Sequence, residues 1–471
     1  MATRVAPILS VNPATEEVLE RYEAFDEDAV DRALGEADDA FRVWRSRSYD
    51  ERAVPMRRLA AVLRERSDRY ARLMTAEMGK PISEAKAEIE KCAWNCEFYA
   101  QHAAEFLKDE PAPTNAKRSF VAFEPLGVVL AVMPWNYPFW QVIRFAAPAL
   151  MAGNAAVLKH ASNVPQSALA LEEAIRDAGF PEGLFRTLLL AGAQVEPVIA
   201  DERIRAVTLT GSSATGSRIA ELAGRALKKC VLELGGSDAF IVLDDADIEA
   251  AATVATRARN QNNGQSCIAA KRFIVDGRVL GDFEERFAKK VAALRIGDPM
   301  DPGTQIGPLA RGDLRETLAR QVADSVKVGA RLLVGGKRWG ERGYFYEPTV
   351  VADVTADMPV FKEETFGPVA AIMKVRDAEE AIERANASPY GLGGNLWTRN
   401  EVLAERLARR IESGAVFING MTASDPRLPF GGVKQSGYGR ELSHYGIREF
   451  VNIQTIWIGP AAPATPVPQA E

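Results

Sequence analysis

From about residue 127 to residue 210, short apolar runs rich in β-branched residues alternate with segments of helical periodicity. The strand-like runs are Val128 to Met133, Ala155 to Lys159, Phe185 to Leu190 and Ala206 to Thr210. Such alternation is typical of βαβ units, whose parallel strands place ligands at their carboxyl ends. A second alternating unit begins with Ala239 to Leu243 and continues to about residue 422. The pattern therefore predicts an α/β protein with two parallel-sheet units.

Length and charge limit the classes that this fold can serve. A chain of 471 residues is too long for one ordinary core, which favours two or three domains. The net charge of −6, without a strong basic run, argues against a nucleic-acid partner. The first residues lack the apolar core of a signal peptide, and no apolar run is long enough to cross a membrane. We expect a soluble cytoplasmic protein without a membrane partner.

Helical periodicity dominates the first quarter of the chain. One helix is expected behind the acidic cap Asp26 to Asp28, and a second is expected to run from about Glu51 to Gly79. Two strand-like runs, Ser119 to Phe123 and Phe450 to Ile458, lie outside the alternating units. Their edges are a physical reason for subunits to associate.

The segment from Asn260 to Ala269, Asn-Gln-Asn-Asn-Gly-Gln-Ser-Cys-Ile-Ala, places a cysteine just after a polar turn. A polar run around one glycine suits a turn that exposes backbone amides, and the thiol of Cys267 at its edge is a candidate nucleophile. Free cysteines are more often small buried hydrophobic residues, and this segment alone favours that interpretation.

A carboxylate elsewhere in the chain favours the catalytic interpretation instead. Glu233 lies on an apolar run, Val-Leu-Glu-Leu-Gly-Gly, that ends in paired glycines. Burial raises the pKa of a lone carboxyl group, and enzymes use this shift to make a general base. Glu233 and Cys267 are 34 positions apart, so the fold has to bring them together.

The remaining cysteines and the histidines do not have the spacing of a metal site. Cys92 and Cys96 share a helical face with Ile89 and Tyr99, which indicates positions in the core. The three histidines of the chain are scattered. We therefore expect no metal site and no Cys-His catalytic pair.

Glu-Leu-Gly-Gly at 233–236 and Asn-Gly-Gln-Ser-Cys at 263–267, at this spacing, resemble the aldehyde dehydrogenase superfamily. The resemblance implies a cysteine nucleophile and a glutamate that activates water. It also implies a Rossmann-type cofactor domain (1–110 and 125–235), an α/β catalytic domain (236–430) and a small β oligomerisation element (111–124 and 445–459). A homodimer or homotetramer is then expected, with a disordered Pro-rich tail at 460–471.

The resemblance also implies how the site handles an aldehyde. The Cys267 thiolate attacks the carbonyl carbon, and the resulting oxyanion needs hydrogen-bond donors. Asn136, in Pro-Trp-Asn-Tyr-Pro, matches the oxyanion asparagine of the family, and the backbone amide of Cys267 is the second donor. A turn residue or helix cap suits the position of Asn136 equally well.

No Gly-x-Gly-x-x-Gly fingerprint follows any of the predicted strands. Instead Gly211 and Ser212 close one strand and open a helix, where the backbone can approach a phosphate; an ordinary helix cap has the same pattern. The resemblance implies that Ser212 contacts the cofactor pyrophosphate. It further implies that Glu364 holds the nicotinamide ribose and Phe366 packs against the ring, with Trp135 as another cofactor contact.

Cofactor choice is read from the end of the strand at 155–159. Many NAD-preferring relatives carry a glutamate just beyond this strand, where it binds the ribose hydroxyls and repels a 2′-phosphate; Ser162 takes its place here. With Lys159 beside it, a phosphate finds a cation and a hydroxyl. We therefore predict a preference for NADP, with NAD as a possible substitute. The alternative is a loop serine with little influence.

An arginine in an apolar segment points to the substrate. Asn136, Trp140 and Arg144 step by four, so they are predicted to lie along one helical stripe, and Arg144 would then reach a distal carboxylate. A structural salt bridge is the alternative role for Arg144. Ser424 is expected to add a hydroxyl to the same carboxylate.

These residues together resemble family members that oxidise succinate semialdehyde with NADP. Glutarate semialdehyde and a broad range of aliphatic aldehydes are the rival substrates. A noncatalytic binding or structural protein on the same fold is the rival class.

Overall fold

The computed structural model of the protein describes residues 7–459. The tail predicted to be disordered, 460–471, lies outside these residues. The strands are β1 (Ile8–Val11), β2 (Val18–Tyr22), β3 (Glu110–Pro111), β4 (Arg118–Pro125), β5 (Val128–Met133), β6 (Ala155–His160), β7 (Phe185–Thr187), β8 (Ile204–Thr210), β9 (Lys229–Glu233), β10 (Asp238–Val242), β11 (Ala270–Asp276), β12 (Arg331–Val334), β13 (Thr349–Ala352), β14 (Val369–Val375), β15 (Tyr390–Gly391), β16 (Gly393–Trp397), β17 (Ala415–Ile418), β18 (Val433–Lys434), β19 (Gly437–Tyr438) and β20 (Val451–Ile458).

The helices lie mainly before β3 and between the strands of the two large sheets. They are α1 (Glu27–Trp44), α2 (Tyr49–Glu65), α3 (Ser67–Met78), α4 (Ile82–Phe106), α5 (Trp140–Ala152), α6 (Pro165–Asp177), α7 (Val195–Ala200), α8 (Ser213–Arg225), α9 (Ile248–Asn260), α10 (Leu280–Ala292), α11 (Gly312–Lys327), α12 (Pro359–Lys362), α13 (Ala378–Asn386), α14 (Glu401–Ala408) and α15 (Ser443–Ile447).

The first large sheet has the strand order β19-β9-β8-β5-β6-β7. Strands β5 to β9 are parallel, and β19 pairs with β9 in the antiparallel sense. The central strands β5, β6 and β8 are almost entirely buried, as expected for a parallel sheet covered by helices on both faces. Their carboxyl ends meet at one edge of the sheet, which brings the segments after β5, β6, β8 and β9 together.

The second large sheet has the order β12-β13-β14-β11-β10-β16-β17, parallel except for β12. The chain passes from the first sheet to the second between Glu233 at the end of β9 and Asp238 at the start of β10. This crossing places the carboxyl edge of the first sheet next to the amino edge of the second. The predicted α/β class with two parallel-sheet units is confirmed.

The two strand-like runs outside these units pair with each other. Strand β20 is antiparallel to β4 along its whole length, in a three-stranded sheet of order β20-β4-β3. Large apolar side chains on β20, Ile453 and Trp457, are exposed. Within the described chain β20 is an edge strand with an apolar surface.

Helix boundaries follow local capping chemistry, with two corrections to the sequence prediction. Asp26 caps α1, as expected, and Asp247 caps α9 in the same way. The helix expected from Glu51 to Gly79 is instead two helices, α2 and α3, because the chain breaks at Arg66. The strand expected at 185–190 ends earlier, since β7 stops at Thr187.

Helix α4 is the long element behind the site. It packs against α2, α3 and α5, and its buried face includes both Cys92 and Cys96, as the helical pattern predicted. Within residues 7–459, no helix is both long enough and apolar enough to span a membrane.

Candidate active site

Cys267 lies on a short loop between α9 and β11, after a tight turn at Gln261–Gly264. Asn262 and Asn263 both adopt left-handed backbone angles there, with φ of 57° and 56°. Their side chains are buried, and Glu84 of α4 accepts a hydrogen bond from the Asn262 amide at 2.6 Å. The polar run therefore builds a turn with buried side chains, in which the Asn262 amide is already paired with Glu84.

A buried lysine also holds the loop that carries Cys267. Lys271, at the start of β11, donates from Nζ to the carbonyls of Ser266 (3.0 Å) and Cys267 (2.8 Å). The same Nζ lies 3.5 Å from a carboxylate oxygen of Glu364. Because Lys271 is fully buried, it ties the backbone around Cys267 to the segment that carries Glu364.

Asn136 lies beside this loop. Its Nδ2 donates to the carbonyl of Gln265 at 3.1 Å, and Asn262 Nδ2 donates back to the Asn136 carbonyl at 2.8 Å. Asn136 is in the turn after β5, and α5 begins only at Trp140. The predicted helical stripe of Asn136, Trp140 and Arg144 is therefore wrong for Asn136, although its position beside the Cys267 loop agrees with the predicted oxyanion role.

Glu233 ends β9 and is buried. A Cβ at Gly431 would lie 2.7 Å from Glu233 Oε1, so the glycine makes room for the carboxyl group. Burial raises the pKa of Glu233 well above its usual value, the negative charge of Glu441 adds to this, and the guanidinium of Arg144 opposes it. A carboxyl group in such surroundings holds a proton readily and suits general acid–base work.

Burial also raises the pKa of the Cys267 thiol, to about 12, and the charges of Arg144 and Lys271 oppose the shift. Arg144 thus acts electrostatically on both Cys267 and Glu233. Cys267 lines the central cavity, whereas Glu233 is not among the described residues that line it. Glu233 belongs in this structure to the Arg144–Glu441 group.

The cavity beside Cys267 has a volume of about 220 Å³. This is enough space for a small molecule of a few carbon atoms. Its wall combines aromatic side chains with several polar and charged groups. The lining residues include Trp140, Arg144, Phe430, Lys91, Ser424, Glu84 and Gln261.

The predicted substrate residues Arg144, Trp140 and Ser424 all reach this cavity. Arg144, however, forms a buried ion pair with Glu441, and it donates to Thr210 Oγ1 at 3.2 Å. The alternative role of Arg144, a structural salt bridge, is therefore present in the structure. Its position in the wall still lets it act on a ligand, but its charge is already balanced.

Sequence reasoning missed a second cation in the cavity, Lys91 of α4. Its Nζ donates to Ser424 Oγ at 2.6 Å and lies 4.3 Å from the centre of the Trp140 ring. Lys91 immediately precedes Cys92, which the helical pattern assigned to the core. The pairing of Lys91 with Ser424, 333 positions away, has no signal in the local sequence.

The predicted phosphate site lies at the junction of β8 and α8. Ser212 is the exposed N-cap of α8, its Oγ accepts from the Thr215 amide, and no acidic residue lies in the first turn. The Gly211 amide donates to the Glu233 carbonyl at 2.9 Å. A helix start with these features fits a pyrophosphate, and it is joined directly to the strand that carries the carboxylate.

Two polar residues lie at the carboxyl end of β6, one within the strand and one just after it. Lys159 is half-buried and has no carboxylate partner within residues 7–459, and Ser162 is exposed just beyond it. Burial lowers the pKa of Lys159. A lysine without a partner next to a free hydroxyl fits a phosphate group.

The predicted nicotinamide residues lie near the end of β9 and in the segment after β5. Glu364 accepts from the Gly236 amide at 3.0 Å, and a Cβ at Gly235 would lie 2.6 Å from Glu364 Oε2. Phe366 packs edge-on against Trp135, with ring centres 5.6 Å apart. Glu364 thus adjoins both the end of β9 and the Cys267 loop. A group that orients the nicotinamide ring beside the thiol needs such a position.

The two parallel-sheet units meet near a thiol and a buried carboxyl group, and a helix start suited to a pyrophosphate lies next to them. This arrangement is that of a nucleotide-dependent oxidoreductase. The model of the aldehyde dehydrogenase family matches residues 2–456, and the chain belongs to this family.

Individual relatives are similar over almost the whole chain. It is 51% identical over 455 residues to succinate-semialdehyde dehydrogenase [NADP(+)] 1 of Mycobacterium tuberculosis, covering 96% of this chain and 100% of the relative. It is 52% identical over 451 residues to the probable succinate-semialdehyde dehydrogenase [NADP(+)] of Synechocystis, covering 96% and 99%. The crystal structure of succinic semialdehyde dehydrogenase from Streptococcus pyogenes with NADP+ superposes with a TM-score of 0.94 at 42% identity, covering 96% and 100%.

Proposed function

We propose that the protein oxidises a short aldehyde bearing a distal carboxylate, most directly succinate semialdehyde to succinate, with NADP+ as the cofactor. The observation that carries this proposal is the cavity itself. The same small space is lined by the thiol of Cys267 and by three cationic side chains, Arg144, Lys91 and the more exposed Arg257. The names of the relatives at 51% and 52% identity agree with this reading of the cavity.

Each chemical step has a candidate group in the site. Cys267 adds to the aldehyde carbon and forms a thiohemiacetal, whose oxyanion accepts from Asn136 Nδ2 and the Cys267 backbone amide. NADP+, when bound, supplies the acceptor for the hydride that leaves this carbon. Glu233 then removes a proton from water, which attacks the resulting thioester and releases the carboxylic acid and the free thiol.

Cys267 and Glu233 both have pKa values raised by burial. With a pKa of about 12, the Cys267 thiol is protonated at neutral pH and has to lose a proton to attack. No histidine is among the described residues of the cavity wall, and the resemblance to the family assigns Glu233 to the activation of water, not to the deprotonation of the thiol. Since Glu233 is held at the Arg144–Glu441 group, its side chain has to turn towards Cys267 during the cycle.

The groups that would hold the cofactor follow the carboxyl ends of β5, β6, β8 and β9 and the segment around Glu364. Gly211 and Ser212 would bind the pyrophosphate, Lys159 and Ser162 the 2′-phosphate, and Glu364 the nicotinamide ribose, with Phe366 and Trp135 packing against the ring. The unpaired ammonium of Lys159 next to Ser162 supports NADP over NAD, because a phosphate there gains a cation and a hydroxyl.

A panel of aldehydes measured with both cofactors tests the proposal. Succinate semialdehyde with NADP+ is expected to give the highest kcat/KM, ahead of glutarate semialdehyde and of butanal. A higher kcat/KM with butanal would favour a broad aliphatic aldehyde dehydrogenase. A higher value with glutarate semialdehyde would keep the chemistry and change the chain length.

We also propose that the chain works as a homodimer or homotetramer in which the β20 edge meets another copy. An edge strand with exposed Ile453 and Trp457 supports this, because such an edge is costly to leave in water. The division into a cofactor domain around the first large sheet and a catalytic domain around the second belongs to the same proposal. Light scattering of the purified protein gives the number of copies.

A further inference from the structure

Some of the cationic side chains around the substrate cavity are paired with carboxylates, and others are not. Lys80 is paired with Glu88, and Arg144 is paired with Glu441, both inside the protein. Lys91 forms no ion pair with any carboxylate of residues 7–459. Arg257, the other cation of the cavity wall without an ion pair in the described chain, is exposed, whereas Lys91 is half-buried, so Lys91 is the one whose unbalanced charge is withdrawn from water.

The surroundings of Lys91 make that charge costly without a ligand. Its side chain is largely withdrawn from water between α4, α5 and the segment that carries Ser424. Burial is the main cause that lowers the pKa of Lys91, to about 8, and the nearby guanidinium of Arg144 adds to it. An anion that enters the cavity would restore the balance, and a charge-assisted hydrogen bond would form in a partly dry space.

The hydrogen bond from Lys91 to Ser424 leaves donors available to bind such an anion. Ser424 Oγ accepts from Lys91 Nζ, so the hydroxyl proton remains available for a second group. An ammonium with two further protons and a hydroxyl with one form a compact set of donors for a carboxylate. The Trp140 ring below the ammonium fixes its position.

We propose that Lys91, more than Arg144, supplies the net positive charge that binds the distal carboxylate of the substrate, with the Ser424 hydroxyl as a second donor. This inference rests on the proposed oxidation of a carboxylated aldehyde. Substrate selection is thereby assigned to a residue of α4, whereas Arg144, through its ion pair with Glu441, holds the wall of the cavity in place.

The role of Lys91 in binding the carboxylate makes the affinity for substrate depend on pH. The charged groups near Lys91 are Glu88 on its own helix, Arg144 on α5 and Asp425 on the neighbouring loop, together with the thiol of Cys92. Glu84 and Arg257 also line the cavity, and burial raises the pKa of Glu84 to about 7, so most of its titration precedes that of Lys91. Glu88 is engaged by Lys80 and Asp425 by Arg427, so neither neutralises Lys91. As the pH rises above about 8, Lys91 loses its proton, and KM for succinate semialdehyde should rise while KM for an uncharged aldehyde stays level.

The test compares Lys91→Met with Lys86→Met, a matched change on an exposed lysine of the same helix. KM and kcat are measured with succinate semialdehyde and with butanal at saturating NADP+. We expect Lys91→Met to raise KM for succinate semialdehyde about 10- to 100-fold, with a much smaller effect on KM for butanal. Lys86→Met should match the wild type, and Lys91→Arg should recover most of the affinity.

The outcomes separate this inference from the proposed function. If the wild type prefers succinate semialdehyde and Lys91→Met changes both KM values equally or neither, Lys91 is not the anchor and the proposed function stands. If the wild type shows no preference over butanal, both are overturned. Should Lys91→Met fail to fold, the pH profile of KM in the wild type decides, because a profile for succinate semialdehyde that stays flat to pH 9.5 (roughly 1.5 above the Lys91 pKa) contradicts the role of Lys91.

Discussion

Replacing Lys271 with methionine should loosen the loop that carries Cys267. The change keeps most of the buried volume but removes the ammonium that donates to the carbonyls of Ser266 and Cys267 and faces Glu364. A hydrogen bond from a charged donor contributes about 1.5 to 3 kcal/mol. Two such bonds, less the cost of burying the ammonium, give a loss of about 3 kcal/mol in the free energy of unfolding.

The effect on chemistry should be larger than the effect on folding. A displacement of about 1 Å at a reacting group costs on the order of 100-fold in rate, so kcat should fall by about that factor. Loss of the positive charge also removes one of the influences that lower the Cys267 pKa, so thiol alkylation should move to higher pH.

Alkylation of Cys267 by iodoacetamide, followed by peptide mass spectrometry across a pH series, measures this directly. Urea unfolding gives the change in stability. The matched control is Lys374→Met on β14, an exposed lysine that should leave both readouts unchanged. If Lys271→Met keeps kcat and the alkylation profile within twofold of the wild type, Lys271 does not position the nucleophile and the reasoning is wrong.

Three further predictions follow from single contacts. Ser162→Glu should shift the kcat/KM ratio towards NAD by tenfold or more (about 1.4 kcal/mol), because the carboxylate repels a 2′-phosphate, and an unchanged ratio would contradict the assignment. Glu88→Ala should reduce the free energy of unfolding by about 3 to 5 kcal/mol in urea, because it leaves Lys80 unpaired inside the protein; a loss under 1 kcal/mol would refute this. With butanal, kcat/KM should rise from about pH 6 to about pH 9, because burial raises the pKa of Cys267 to about 12 and also raises the pKa of Glu233, and both groups lose a proton more readily as pH increases; a fall over this range would contradict it.

The fold was largely predictable because its signals are local. The apolar runs at β5, β6 and β8 are recognisable without knowledge of their partners, since a buried parallel strand is apolar on both faces. The acidic cap at Asp26 is likewise a property of a few neighbouring residues. The break at Arg66 was missed because two helices in succession have the same periodicity as one.

The contents of the site were only partly predictable, because its contacts join distant segments. Cys267 and Glu233 stood out as residues whose types are unusual in their surroundings. The ion pair of Arg144 with Glu441 and the contact of Lys91 with Ser424 depend on packing that no local pattern encodes.

The central claim is that Cys267 carries the substrate as a thioester and that Glu233 is needed to release it. Glu233→Gln enzyme, mixed with NADP+ and succinate semialdehyde and quenched, should show a succinyl adduct on the peptide containing Cys267 and a single burst of NADPH. The account is contradicted if this variant turns over at the wild-type rate, or if the adduct forms on Cys92, Cys96 or Cys230 instead.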